Sequence, residues 1–366
     1  MVNLTSDDIS NFLKKKFKEL MSSNDKNIIG LDIGQSSVKM IQLSKSGSNY
    51  IIEKYFETSL DEGVIIEDEI HDYDKLLNVL IDTHKNGKFS TNNVCFGLWG
   101  DNTIVRKIQI PAPDENDDFY DHVLWEAEQY IPFDIDDSYI TFHEIGLNEG
   151  GGVDLIIAAA RKKSLDSFKT IIEEAGLFIK IVDHSAIAIL NTFDTLFKDE
   201  ISTDNSIVLC DLGAQKSFIH ILKKGEMNFY KELPIGGQMI TEEIQRQMGL
   251  TYEEADDLKI NGDGSGKIPE EVNIIIEEVL AIFSSNISEI IDFYKSSMSE
   301  EVIETFYLSG KTSKLNGCIE NIETKTKLSV TRLDLKNHLE TKGSLDLTET
   351  EIGFGLTGLG LRLFDD

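Results

Sequence analysis

The sequence predicts an α/β fold built as two related halves, and three observations carry that reading. Apolar runs of strand length alternate with segments of helical spacing along the whole chain. A hairpin in which Asp stands two residues before Gly occurs twice, as IIGLDIGQSSVKMI at 28 to 41 and as IVLCDLGAQKSF at 207 to 218. At 366 residues the chain is too long for one ordinary core, so two domains or one bilobed unit are expected.

In the first hairpin the apolar run Ile28 to Leu31 fits a buried strand, and Val38 to Leu43 returns as a second one. Gly34 tolerates a positive φ and has no side chain to obstruct a ligand, so the N–H groups of Gly34 to Ser37 can turn toward an anion. A carboxylate at Asp32 would repel a phosphate unless a divalent cation lay between them, usually with waters in its shell. An ordinary β-turn with an Asx residue would leave the same letters. The second copy favours the chemical reading: Asp211 and Gly213 precede a return run from Phe218 to Leu222. Two phosphate hairpins, one from each half, would place the β- and γ-phosphates of a nucleotide and Mg²⁺ between Asp32 and Asp211.

Composition narrows the partners. A 40% hydrophobic content with 5 prolines is that of an ordered globular chain. With 65 acidic against 35 basic residues the formal charge is −30, which disfavours nucleic acid and anionic lipid as partners of the whole surface. Cys95, Cys210 and Cys318 show no metal or CxxC spacing and read as buried cytosolic thiols. No run approaches the roughly 18 apolar residues of a membrane span, and no signal-peptide core is present.

Before the first strand, Phe12, Leu13, Phe17 and Leu20 recur at helical spacing among Lys14, Lys15, Lys16 and Lys18. This basic amphipathic helix is either an arm for a membrane surface or partner, or a helix packed on the body. Tyr50 to Phe56 reads as a strand, and Tyr73 to Lys85 as a helix with Leu76, Leu77, Leu80 and Ile81 inward. Residues 94 to 99 and 103 to 110 read as a strand pair around Gly100-Asp101, closed by Pro111 and Pro113. A helix follows, with acids at 114 to 118 in its first turn, Val123, Leu124, Ala127, Tyr130 and Ile131 on one face, and a stop at Pro132. Strands at 138 to 145 and 153 to 160 flank the loop 148 to 152, and Ser164 is expected to cap a helix that ends at Gly176. Residues 94 to 176 therefore read as a self-contained insertion.

Strand 179 to 183 leads into an Ala-rich helix, and the second half begins near Ser206. There follow a strand at 228 to 233, Gly236-Gly237 before a helix at 241 to 248, and the acidic TYEEADDLK. A long helix over 273 to 294 buries Val279, Ile282, Ile287, Ile290 and Ile291; a strand at 305 to 309 opens Gly310, and a helix over 352 to 363 closes the chain.

The two Asp-Gly hairpins, the Ala-rich segment between them, Gly236-Gly237 and Leu308-Ser309-Gly310 stand in the order seen in actin-like ATPases, which include actin, heat-shock chaperones and sugar kinases. More narrowly, VRKIQIP at 105 to 111, WEAEQYIPFDIDD at 125 to 137, and PIGGQMITEEIQ with YEEADDLK at 234 to 259 resemble the PilM family of type IV pilus inner-membrane assembly proteins. The likeness spans about residues 28 to 364.

It implies a bilobed actin-like ATPase (ribonuclease H-like) fold with an FtsA-type inserted subdomain. The parts would be an extension at 1–26, subdomain 1A at 27–93 and 177–205, the inserted 1C at 94–176, subdomains 2A and 2B at 206–335, and a return to 1A at 336–366. The resemblance assigns Asp32, Gly34, Gln35, Ser36, Ser37 and Lys39 to one phosphate loop. Asp211, Gly213, Ala214 and Gln215 form the other, Gly236 and Gly237 lie in the nucleotide set, and Gly310 opens an adenosine loop whose second glycine is replaced by Lys311. ATP and Mg²⁺ are the implied cofactors, the metal held by Asp32 and Asp211 through water.

Hydrolysis needs a group that positions water. Asp183 stands where chaperone relatives carry a Glu, and being one methylene shorter it implies slow or absent turnover; capping the following helix is its alternative role. The implied partner is the N-terminal cytoplasmic tail of a PilN-like inner-membrane protein, held as an extended peptide between the first lobe and the insertion. Trp125, Tyr130 and Phe133 are either its groove contacts or core aromatics. Pilus motor ATPases and self-association are further partners, and the location implied is cytoplasmic and peripheral to the inner membrane. An FtsA-like filament and a small-molecule kinase are the competing readings.

Overall fold

The computed structural model describes residues 27–112, 118–148, 150–198, 205–297, 302–342 and 352–362. The expected basic helix within residues 1–26, the acids at 114 to 117 and the end of the closing helix at 363 lie outside them.

In the first half, β1 (Ile29–Ile33), β2 (Ser37–Ser46) and β3 (Asn49–Ser59) form an antiparallel meander, followed by the short hairpin β4 (Ile65–Ile66) and β5 (Glu69–Ile70). Helix α1 (Tyr73–Gly87) crosses to β6 (Asn93–Leu98), which lies parallel to β1. Asp72 starts α1 by accepting the Lys75 N–H. Strand β7 (Thr103–Ile110), α2 (Phe119–Ala127), β8 (Ser138–Leu147) and β9 (Val153–Arg161) build a separate three-stranded sheet of order β7-β9-β8, backed by α2 with its own core. The chain returns through α3 (Lys162–Glu174), β10 (Phe178–His184) and α4 (Ser185–Leu196).

The second half repeats the pattern. Strands β11 (Ser206–Leu212), β12 (Ser217–Lys223) and β13 (Glu226–Leu233) form a meander; α5 (Gly237–Met248), α6 (Tyr252–Asn261) and α7 (Glu270–Ser297) cross to β14 (Ile303–Ser309); then come α8 (Cys318–Thr326) and β15 (Val330–Arg332). The five-stranded sheet runs β13-β12-β11-β14-β15. It has the same pairing pattern as β3-β2-β1-β6-β10 in the six-stranded sheet, with two antiparallel neighbours followed by two parallel ones. The sixth strand is β16 (Leu339–Thr341), parallel to β3, and α9 (Phe354–Leu361) packs over β1 and α4.

Several local expectations shift. Residues 94–99 and 103–110 are not a strand pair: β6 lies between β1 and β10, while β7 pairs with β9. Every residue of β6 is buried, as a central parallel strand requires, whereas Gly100 at φ 94° turns the chain away into the other sheet. The range 94 to 176 therefore includes a strand of the large sheet, and the sheet with its own core runs from Thr103 to Arg161. Helix α3 begins at Lys162 with no side-chain cap, which places Ser164 inside its first turn. Helix α2 ends at Ala127 and tightens into a 3-10 turn over Glu128–Tyr130. Helix α5 starts at Gly237, four residues before the expected Thr241, and TYEEADDLK becomes α6 through a Thr251/Glu254 capping box. Ile81 and Ile282 face solvent rather than the core. All three cysteines are free and buried, and burial pushes the Cys318 thiol up to about 12.

The glycines of α9 set how closely the halves of the first lobe approach. A side chain at Gly358 would collide with the Ala188 carbonyl of α4, and one at Gly30 would lie 2.7 Å from the Gly360 nitrogen. A Cβ at Gly355 would meet only ordinary contacts, the nearest at 3.8 Å. Gly358→Ala is therefore expected to lower stability by about 3 kcal/mol through overpacking, while Gly355→Ala leaves it unchanged or raises it through helix propensity. Thermal unfolding of the two variants checks this, since equal effects would mean that backbone approach does not limit the packing.

Candidate functional site

The two halves enclose a cleft of about 660 Å³. At its base the two Asp-Gly turns adopt one geometry. The Gly34 N–H donates to the Ser37 carbonyl at 2.9 Å, and the Gly213 N–H to the Lys216 carbonyl at 3.1 Å. Asp32 lies opposite Lys39 and Asp211 opposite Phe218, each one pair back from its turn. Across the cleft the turns touch: the Gln215 side-chain amide donates to Gln35 Oε1 at 3.0 Å.

Asp32, Gly34, Gln35, Ser36, Ser37 and Lys39 line the cleft from the first half, and Asp211, Gly213, Ala214, Gln215, Gly310 and Lys311 from the second. Gly310 has φ 89° and packs against the Leu212 backbone, where a side chain would collide. Gly236 and Gly237 stand behind the second turn instead of lining the cleft. The Gly237 N–H donates to the Gly213 carbonyl at 3.0 Å, the Gln238 N–H to the Ala214 carbonyl at 2.7 Å, and the Thr312 hydroxyl to the Gly213 carbonyl at 2.7 Å. These bonds tie the turn's carbonyls back toward α5, the arrangement an anion needs from a backbone turn.

The charge of the lining is opposite to that of the chain. Lys39, Lys216, Lys311, Lys314, Arg332 and Lys336 face Asp32, Glu57, Asp211 and Asp334, six cations to four acids in a chain of net −30. Burial pushes the carboxyls of Asp32 and Asp211 above the usual range, partly offset by Lys39 and, at Asp211, by the Ser309 hydroxyl at 2.6 Å. Burial also opposes ionisation of Glu57, but Lys39, Tyr55 and Lys311 outweigh it and hold that carboxyl below its ordinary value. Among the described residues no three His, Cys, Asp or Glu side chains form a metal cage. Two carboxylates fit a hydrated Mg²⁺ that completes its shell with water and ligand oxygens, and no more than that.

Asp183 lies outside the cleft lining and does not cap α4. Its carboxylate is bound by Arg362, with Nε 2.6 Å from Oδ2 and Nη2 3.0 Å from Oδ1, and it accepts the His184 N–H at 2.8 Å. The cap is His184, whose Nδ1 accepts the Ala186 N–H at 3.1 Å, leaving the ring proton on Nε2, 3.0 Å from the Thr103 hydroxyl. Burial, with Lys216 nearby, lowers the His184 pKa to about 4, so the ring is neutral. Trp125, Tyr130 and Phe133 lie on the three-stranded unit. Tyr130 and Phe133 pack on its core, Phe133 under the Arg161 guanidinium, while Trp125 is 70% exposed beside a depression of about 230 Å³.

Sequence reasoning missed much of the lining, including Lys216, Trp99 and Glu57. Lys216 was legible as the fourth residue of the second turn. Trp99 and Glu57 belong to no motif and reach the cleft only because β6 and β3 flank β1 and β2.

The family model for the type IV pilus assembly protein PilM matches residues 30–362. The chain belongs to that family. Among solved structures, the PilM-PilN type IV pilus biogenesis complex aligns at a TM-score of 0.79 with 22% identity, over 93% of this chain and 99% of that one. The ethanolamine utilization protein EutJ of Carboxydothermus hydrogenoformans follows at 0.54 and 12%, covering 92% and 89% of the two chains. MreB 5 of Spiroplasma citri bound to AMPPNP aligns at 0.50 and 10%, covering 93% and 96%. This PilM-family chain therefore has the actin-like ATPase fold, as its paired sheets show independently.

Two outcomes follow from the site's electrostatics. A carboxyl whose folded pKa is raised stabilises the fold below its unfolded value, near 3.8, and that contribution is lost as pH rises through the folded value. Asp32→Asn and Asp211→Asn should thus melt higher than the wild type at neutral pH without ligand, by a margin that shrinks on acidification. Melting curves across pH check the sign, and a lower melting point in both variants would contradict it. Asp183→Ala should cost about 3 kcal/mol, because it breaks the bidentate ion pair with Arg362, and denaturant unfolding measures that loss.

Proposed function

We propose that this chain is a nucleotide-binding scaffold of a type IV pilus inner-membrane assembly complex. ATP with Mg²⁺ would lie between Asp32 and Asp211, and the N-terminal tail of a PilN-like membrane protein would be held between the first lobe and the inserted sheet. The observation that carries the nucleotide half is the pairing of two identically bonded Asp-Gly turns in one cleft that is cation-rich in an acidic chain. Lys39, 3.8 Å from Glu57, is the cation set to meet phosphate oxygens, and the metal would screen the two aspartates from them. The AMPPNP-bound MreB 5 structure, on the same fold, supports this assignment.

The partner half rests on family membership and on the likeness to the PilM-PilN complex. An extended tail gains main-chain hydrogen bonds and side-chain pockets. It would also bring an acidic surface to a membrane that repels it, and among the described residues no helix is long and apolar enough to cross a membrane. Turnover is proposed to be slow, because Asp183 is committed to Arg362 and is not at hand to orient water.

Millimolar Mg-ATP should raise the melting temperature of the full chain, an effect lost in Asp32→Asn and Asp211→Asn, with phosphate release far below the ~1–100 s⁻¹ of kinases. Brisk hydrolysis abolished by Asp183→Ala would replace the scaffold with an enzyme. Recruitment is read on anionic liposomes with the full chain, with the chain lacking residues 1–26, and with that truncation plus a lipid-tethered PilN-like peptide. If the peptide fails to restore binding lost on truncation, the peptide groove is wrong.

A further inference from the structure

Lys216 differs from the other cations of the cleft. Its backbone closes the second phosphate turn, and its ammonium is held by two carboxylates from different halves. It lies 2.8 Å from Glu232 on β13 and 3.5 Å from Asp68 in the first half, over the Trp99 ring at 5.0 Å from the centroid. Despite partial burial its pKa is raised, first through the hydrogen bond to Glu232 and then through Glu232, Asp68 and Asp101 as charges, so it stays protonated. Two carboxylates already satisfy it.

The groups it grips are anchored elsewhere. Trp99 donates its indole N–H to the Ile33 carbonyl at 3.0 Å, immediately before Gly34 of the first phosphate turn. Asp68, almost fully buried and with φ 65°, accepts the Asp101 N–H at 2.9 Å. Residues 99 to 103 are the corner from which the inserted sheet departs: Thr103 begins β7 and bonds back to Gly100, and the Arg161 N–H at the end of β9 donates to the Asn102 carbonyl at 2.9 Å. A second tie joins the inserted sheet to the second half, since Lys107 on β7, itself held by Asp154 of the neighbouring β9 at 3.3 Å, reaches Asn228 on β13 at 3.2 Å.

We infer that Lys216 is a positioning residue that couples occupancy of the cleft to the seating of the inserted sheet, through Asp68 and Trp99. The inference rests on the nucleotide reading above. A ligand whose phosphates enter between the turns must part the Gln35–Gln215 contact, and any change in the spacing of the turns moves the Lys216 backbone. Because its ammonium is held at both ends, the displacement reaches Asp68 and the 99–103 corner instead of dissipating in a free side chain. Sites linked through such an element bias each other reciprocally, so a peptide bound at the inserted sheet would alter nucleotide affinity.

The chain carries 2 tryptophans, and Trp125→Phe leaves Trp99 as a reporter beside Lys216. In that background Mg-ATP should change Trp99 emission and the amide exchange of segments 99–110 and 153–161. With Mg-ATP titrated until the melting shift of each variant saturates, Lys216→Met should lose the exchange change at the inserted sheet. Asp68→Asn, a residue that tolerates positive φ, should do the same from the first half, and Lys216→Arg should restore the response. A melting shift without altered exchange at 99–110 in the parent, or a response that survives in Lys216→Met, overturns the coupling alone. No melting shift in the parent removes the nucleotide reading and the coupling with it.

Discussion

The constraint on which the rest of the structure depends is the burial of two aspartates at the base of one cleft. Desolvation opposes both charges, and Lys39 offsets only part of the cost. Such carboxylates are poor contributors to stability and are useful where a cation completes them. The surroundings follow from that requirement. Each turn is held by its own hydrogen bond, the second turn is drawn back onto α5 and Thr312, and the lining gathers lysines from a chain that is otherwise strongly acidic.

Duplication is how the fold places two such turns face to face. Each half runs a meander whose first strand carries the Asp and whose parallel neighbour supports it from behind, β6 in one half and β14 in the other. Equivalent positions carry different residues. Lys39 opposite Asp32 corresponds to Phe218 opposite Asp211, and Ser37 at the end of the first turn corresponds to Lys216 at the end of the second. One half thus places a lysine opposite its aspartate in the cleft, and the other a lysine that reaches across to Asp68.

The inserted sheet has a distinct core, yet it is not loosely attached. Its corner is gripped by Asp68, by His184 through Thr103, and by the Lys107 bridge to β13. A neutral His184 is essential to that geometry, because its Nδ1 must accept from α4 while its Nε2 donates to Thr103. Asp183, next to it, binds Arg362 at the end of the closing helix.

Most strands, the paired turns and the glycines that line or buttress the cleft were legible in the sequence, because each depends on neighbours within a few residues. A turn needs Gly34 or Gly213 where the chain reverses, and a buried strand needs an apolar run. What the sequence left open depended on partners distant along the chain. The run at 94–99 looks the same whether it pairs with 103–110 or with β1 and β10, and only the packing of the large sheet decides. Asp183 looks like a catalytic or capping residue until Arg362, 179 positions later, is folded against it. Trp99, Glu57 and the double grip on Lys216 have no local signature at all, since charge and burial at a point in space are sums over elements that local propensity does not contain.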